Sequence, residues 1–404
     1  MVAYRTALSN ASLFGVALLT VGIHYWVYPV FDPSEVWGDH YFYWSQAHSW
    51  LNVGEPLYLS DSASSQLRDL YEDASYVDER NDPAFQDPYA YRPLVPIAAG
   101  AIGHVVGLHA GFLVVSAISV FSLAFLCGLG TFKLTNSLPI AWCVTAISIW
   151  LPVPIMAKMI SWYVSVDVPA MALTALVGSL VAFKKFGWAA ATAGLVIPLV
   201  RETLLPLATF VAIYALLQGR SRMHYWILAA MPFLLYGVIR LVTPVRHASS
   251  TSDLLLVENP LRSVYLFIDT YGLVFLIIAG LATMMNREFA IALVPLLTFL
   301  FILTASVLSV PRHWTSIWPL LLMFGAVGIW MSSSHILRLL WMLLVLATFA
   351  AWEAIRLGLL PRDSLFVLTI FGIAWLFIRL YPRQKTAKSP SESTQRRSAL
   401  RMFG

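Results

Sequence analysis

The stretch Phe289–Pro311, "FAIALVPLLTFLFILTASVLSVP", runs for 23 residues without a charge. At about 1.5 Å per residue a helix of that length spans the roughly 30 Å hydrocarbon core of a bilayer. A strand built to cross a membrane alternates apolar and polar residues over about ten positions. No such alternation exists here, so the stretch reads as a helix that lies in lipid.

The rest of the chain repeats this pattern. Of 404 residues, 59% are hydrophobic and only 12% are charged, with a mean hydropathy of +0.74. Soluble domains carry about 25% charged residues. Backbone polar groups in lipid must be satisfied internally, which leaves helix bundles or closed barrels, and uncharged runs of helical length favour the bundle. The expected fold is all-α. It is a polytopic transmembrane helix bundle of about twelve spans, with a large first extracytoplasmic loop carrying amphipathic interfacial helices. The spans fall near 12–30, 111–132, 138–156, 168–183, 188–200, 203–217, 225–243, 263–285, 289–310, 314–332, 336–355 and 363–380. "PLVPIAAGAIGHVVG", 93–107, is too short for a confident crossing and reads as re-entrant or interfacial. Leu13–Tyr28 reads as a retained first helix, not a cleaved signal.

Charge is distributed unevenly. Asp32–Arg92 holds 12 of the 21 acidic residues against Arg68, Arg80 and Arg92. The tail from Pro382 has Arg383, Lys385, Lys388, Arg396, Arg397 and Arg401 against one Glu. Basic segments stay in the cytoplasm, so the tail is expected inside and the acidic loop outside. This gives a single transmembrane domain over 1–381, with 31–92 as the first outer loop, and a disordered basic cytoplasmic tail over 382–404. The net charge of +5 follows from topology and gives no sign of a nucleic-acid partner; the bilayer is the expected one. Cys127 and Cys143 lack metal-site spacing and read as apolar filler.

The chemistry-bearing residues cluster on the outer side. "VIPLVRETLLPLA", 196–208, sets Arg201 beside Glu202 between Pro198 and Pro206. A charge at membrane depth is costly unless it faces a cavity or a partner. The pair is therefore expected to line an outward cavity, with Arg201 available to an anion, or else to be a structural ion pair or a snorkelling end. In "FDPSEVWGDHYFYWSQAHSWL", 31–51, the aromatics Tyr41, Tyr43, Trp44 and Trp50 recur at roughly helical spacing. An amphipathic helix lying on the outer leaflet is expected there, with Asp39 at its N-cap. "NDPAFQDPYAYRPLVP", 81–96, brings Asp87, Tyr91 and Arg92 back to the membrane. Asp167 in "SWYVSVDVPAMAL", 161–173, reads as an N-cap with Pro169 in the first turn. "VPRHWTSIWPLLL", 310–322, puts Arg312 and His313 at the outer start of a span, where snorkelling is the plainer explanation.

Together these elements resemble the GT-C class of integral membrane glycosyltransferases, which use polyprenyl-phosphate-linked sugar donors on the extracytoplasmic face. The resemblance rests on layout: one helix, a large outer loop with "GDHYFYWSQA", then "YRPLVP" entering the membrane and an acidic residue at the outer end of a later helix. A bacterial branch carries "Asp…Tyr-Tyr…Ala", "Tyr-Arg-Pro-Leu-Pro" and "Arg-Glu-Thr" signatures, matched by Asp39 with Tyr41 and Tyr43, Tyr91–Pro93 and Arg201–Thr203. The match covers 10–210 and, more loosely, Arg312.

The resemblance implies an inverting transfer to a cell-surface glycan or lipid acceptor. Asp39 would be the base, Asp167 would bind the acceptor or support that base, and Arg201, Arg312 and Arg92 would bind the leaving phosphate. Glu202 would orient Arg201 or bind a sugar hydroxyl, and His40, Asp87 and Tyr91 would complete the substrate site. Trp37, Tyr41, Tyr43 and Trp44 would form an aromatic rim. The implied setting is a bacterial inner membrane with the active face in the periplasm. Many members have two neighbouring acidic residues where this chain has Asp39 followed by His40, with Glu35 and Asp32 the nearest others. That leaves open both the base and any need for a divalent cation, Mg or Mn.

Two other classes compete. A lipid-linked sugar flippase or transporter would also explain broken helices and buried charge. A glycan polymerase or ligase would carry its large outer loop, with Arg and His, later in the chain. No GxxxxGK[ST], HExxH or GxSxG stretch occurs, so ATP-driven transport, zincin and serine-hydrolase chemistry have no support.

Overall fold

The computed structural model describes residues 2–35, 39–58, 60–62, 65, 91–150, 156, 159–243, 286–305 and 312–331. The chain divides into two compact units, Met1–Trp341 and Met342–Gly404. The second unit lies outside the described residues, and with it the expected tail, the boundary at 381/382 and the spans at 336–355 and 363–380. The span at 263–285 lies outside them as well.

All regular structure among the described residues is helical. In chain order the helices are α1 (Val2–Val27), α2 (Asp39–Leu51), α3 (Leu94–Val106), α4 (Leu108–Thr135), α5 (Leu138–Ile147) and α6 (Asp167–Ala182). They continue with α7 (Phe186–Ala191), α8 (Leu207–Leu217), α9 (Met223–Val242), α10 (Arg287–Ala305), α11 (Arg312–Thr315) and α12 (Trp318–Met331). Among the described residues, three segments are long and apolar enough to cross a membrane: Ala7–Val27 of α1, all of α4, and α9. On α9 the exposed residues Trp226, Ile227, Phe233, Leu234, Val238 and Leu241 recur at steps of three, four and seven, one apolar stripe along the helix.

α4 is the centre of the bundle, packing against α1, α3, α5, α6 and α12. Its 28 residues are buried on several sides, with Phe112, Val120, Leu123, Ala124 and Cys127 at or near zero exposure. A second group forms around α8, which packs on α7, α9 and α10. An aromatic cluster joins α8, α10 and α12. Phe289 stacks on Phe324 with centroids 4.2 Å apart, Phe210 meets Phe289 edge-on at 5.6 Å, and Tyr214 meets Phe324 at 5.9 Å. Such pairs contribute about 0.5–1.5 kcal/mol each beyond the area they bury.

The segment 93–107 forms α3, whose 13 residues reach only about 20 Å. It folds back onto α4 at Gly107, whose φ of 88° favours glycine. The two helices then approach so closely that a Cβ on Gly111 would run into the Ala99 carbonyl oxygen. Gly111→Val is therefore expected to force the hairpin open at a cost of about 1–3 kcal/mol or more. A lowered unfolding temperature in detergent would register it, and an unchanged one would show that the hairpin can yield.

Two expectations from the sequence need correction. The helix after Asp39 is not laid out with its aromatics at headgroup level. From His40 to Ala47 all but Tyr41 are buried, polar Ser45 and Gln46 included, because α2 packs onto α3. Trp44 stacks on Phe112 of α4 with centroids 5.9 Å apart and donates its indole N–H to the Glu55 carbonyl at 2.9 Å. Nor is 188–200 one regular helix. α7 passes into a π-helical turn at Thr192–Val196 and then a 3₁₀ turn at Ile197–Leu199.

Candidate functional site

The break at 196–208 decides where the charges go. Pro206 has no N–H and its ring conflicts with the carbonyl four residues back, so a helix arriving from α7 cannot run straight into α8. Arg201 takes an extended conformation, φ −158° and ψ 119°, between the 3₁₀ turns Ile197–Leu199 and Glu202–Leu204. Adjacent extended and 3₁₀ residues aim their side chains apart, so Arg201 and Glu202 each find a distant partner.

Arg201 pairs with Asp167, the first residue of α6, and both are at least nine-tenths buried. Its Nε also donates to Thr203 Oγ1 at 3.1 Å. Glu202 receives a two-pronged bond from Arg92: Nε donates to Oε2 at 2.7 Å, and Nη2 donates to Oε1. Arg92 Nη1 donates to the hydroxyl of Tyr43, a fully buried residue of α2, at 2.6 Å. Four charges thus sit together with no net charge, joined through the 201–202 peptide. They fasten the first loop's helix, the entry to α3, the start of α6 and the break before α8.

Asp167 was expected to cap its own helix. The backbone N–H of Asp167 instead donates to Ser165 Oγ at 3.1 Å, the Ser165 hydroxyl reaches Asp167 Oδ2 at 3.3 Å, and the carboxylate is directed at Arg201. The segment 161–167 holds much of this end together. Ser161 O accepts from Phe31 N at 3.2 Å, the Trp162 ring meets His40 edge-on at 5.0 Å, and Tyr163 bonds His109 Nδ1 at 2.8 Å. Burial pushes the Tyr163 hydroxyl's pKa up, and the negative charge of Asp32 pushes it further.

The remaining sequence candidates are placed as follows. Asp39 is the first residue of α2 and Arg312 the first of α11; their side chains, with His313, Trp37 and Asp87, lie outside the described residues. His40 is buried. The Tyr91 ring packs edge-on against Tyr236 at 5.9 Å and under the Arg240 guanidinium at 4.9 Å. Asp32 is exposed, and the Ser34 backbone N–H and hydroxyl hold its carboxyl below the usual range. Glu35 is exposed beside the Ser60 hydroxyl.

Among the described residues no three His, Cys, Asp or Glu side chains are placed to hold a metal ion, and Asp167 and Glu202 are each held by an arginine. Sequence reasoning missed the Tyr43–Arg92 bond and the seat of Tyr91 on α9; aromatic spacing marks Tyr43 as apolar surface but gives no sign of its hydroxyl's partner. Tyr43→Phe is expected to strip a buried guanidinium of one acceptor and cost about 1–3 kcal/mol. Thermal unfolding in nanodiscs measures it, and an unchanged midpoint would mean that the bond contributes nothing.

No family model, curated protein or solved structure matches this chain.

Proposed function

We propose that the chain is a membrane glycosyltransferase of GT-C type, with about twelve spans, acting on the extracytoplasmic face of a bacterial inner membrane. It would move a sugar from a polyprenyl-phosphate donor to a cell-surface glycan or lipid acceptor. Asp39 takes the proton of the acceptor hydroxyl as that oxygen bonds to the anomeric carbon; the bond from that carbon to the phosphate oxygen breaks, and the phosphate leaves with the electron pair. The observation that carries the reading is the neutral set behind α2 formed by buried Arg92, Arg201 and Asp167 with the partly buried Glu202. Buried charge is costly to keep, and a set this closely tied supports a preorganised polar site at the first loop.

The pairing changes the part played by the arginines. Arg92 and Arg201 are held by carboxylates, so they shape the site, and a phosphate competes with Glu202 or Asp167 for them. Arg312 remains a proposed phosphate cation, and Asp87 a proposed substrate residue.

One observation favours a second reading, a lipid-linked sugar flippase. The chain between α7 and α8 is discontinuous and bears charges, as binding sites in transporters often are. The test is to supply purified protein in nanodiscs with radiolabelled polyprenyl-phosphate sugars and crude envelope acceptors. Label passing to an acceptor supports the transferase. Saturable binding without transfer, joined to movement of label across vesicles, would replace it with the flippase.

A further inference from the structure

Gln46 of α2 has no exposed surface, and neither its amide nitrogen nor its amide oxygen has a hydrogen-bond partner. An amide offers two donors and an oxygen acceptor, and leaving all of them empty in a dry interior is strongly unfavourable. Such a group calls for an explanation, and a ligand that completes its hydrogen bonds is one. The helical register says where it stands. Gln46 follows Tyr43 by three residues and position 39 by seven, so all three positions share one face of α2. Tyr43 on that face holds Arg92, whose other donors hold Glu202.

We propose that Gln46 is a recognition residue for hydroxyl groups of a sugar ligand. A sugar hydroxyl both donates and accepts, as an amide does, and neighbouring hydroxyls match its paired donor and acceptor. The inference rests on the glycosyltransferase reading and deepens it. The base and phosphate residues deal with the bond that is transferred, whereas Gln46 reads the sugar itself. The sequence gives no hint of this, because a glutamine on an aromatic helix reads as its solvent side.

The experiment measures binding by tryptophan fluorescence in nanodiscs, using farnesyl-phosphate-linked glucose, mannose and arabinose, and farnesyl phosphate without a sugar. Wild type is compared with Gln46→Leu, which keeps the volume and removes the amide, and with Gln46→Met as a second apolar replacement. The expected result is that wild type prefers at least one sugar-bearing probe over farnesyl phosphate by about tenfold. Both variants lose that preference, keep their affinity for farnesyl phosphate, and unfold at the same or a higher temperature. A preference kept intact in both variants overturns the role of Gln46 while leaving the glycosyltransferase reading in place. Wild type that makes no distinction between sugar-bearing and sugar-free probes overturns both.

Discussion

Asp39→Asn is expected to lower sugar transfer by about 10²–10⁴-fold, the usual contribution of a positioned general base. Asparagine has nearly the same shape and cannot take the acceptor's proton. The loss should therefore fall on kcat, with donor affinity close to wild type. Position 39 opens α2, where a carboxylate favours the positive end of the helix by about 0.3–1 kcal/mol. The unfolding temperature should therefore move only slightly, which separates lost chemistry from lost structure. Asp32→Asn and Glu35→Gln are the comparison, since both carboxylates are exposed, Asp32 accepting from Ser34 and Glu35 from Ser60. They should transfer at the wild-type rate. A full rate in Asp39→Asn, with a loss in either of the others, would move the base to that residue.

Removal of Arg201 should have the largest effect on stability. Arg201→Ala leaves Asp167 buried and unpaired beside Ser165, and breaking a buried pair from one side costs about 3–5 kcal/mol. Asp167→Asn should cost a comparable amount, because it strands a guanidinium that is 1% exposed. Replacing both, as Arg201→Met with Asp167→Leu, should recover most of that loss, since well-packed apolar groups of similar volume often substitute for a buried pair with little change. The double variant should nevertheless be inactive, because the break before α8 would no longer be tied to α6. A double-mutant cycle on unfolding in nanodiscs reads the coupling directly. Additive losses from the two single changes would mean that the pair is not what holds these segments.

The all-helical character, the apolar segments and the break between Pro198 and Pro206 were legible in the sequence, because each is set by neighbouring residues. A long uncharged run, a helix start at Asp39 and at Asp167, and a proline that cannot continue a helix all act within a turn or two. The partners of the charges were not legible. Arg201 and Glu202 are adjacent, yet neither completes the other, since neighbouring side chains diverge, and Glu202 meets an arginine 110 positions away. Likewise the aromatic spacing of α2 is the same whether the helix lies on lipid or under other helices, and only its packing on α3 and α4 decides that it is buried. Local sequence determines backbone conformation because steric and hydrogen-bonding preferences are short-ranged. Which carboxylate neutralises which arginine, and whether a glutamine is left empty, depends on segments far apart in the chain, and so only the tertiary structure decided it.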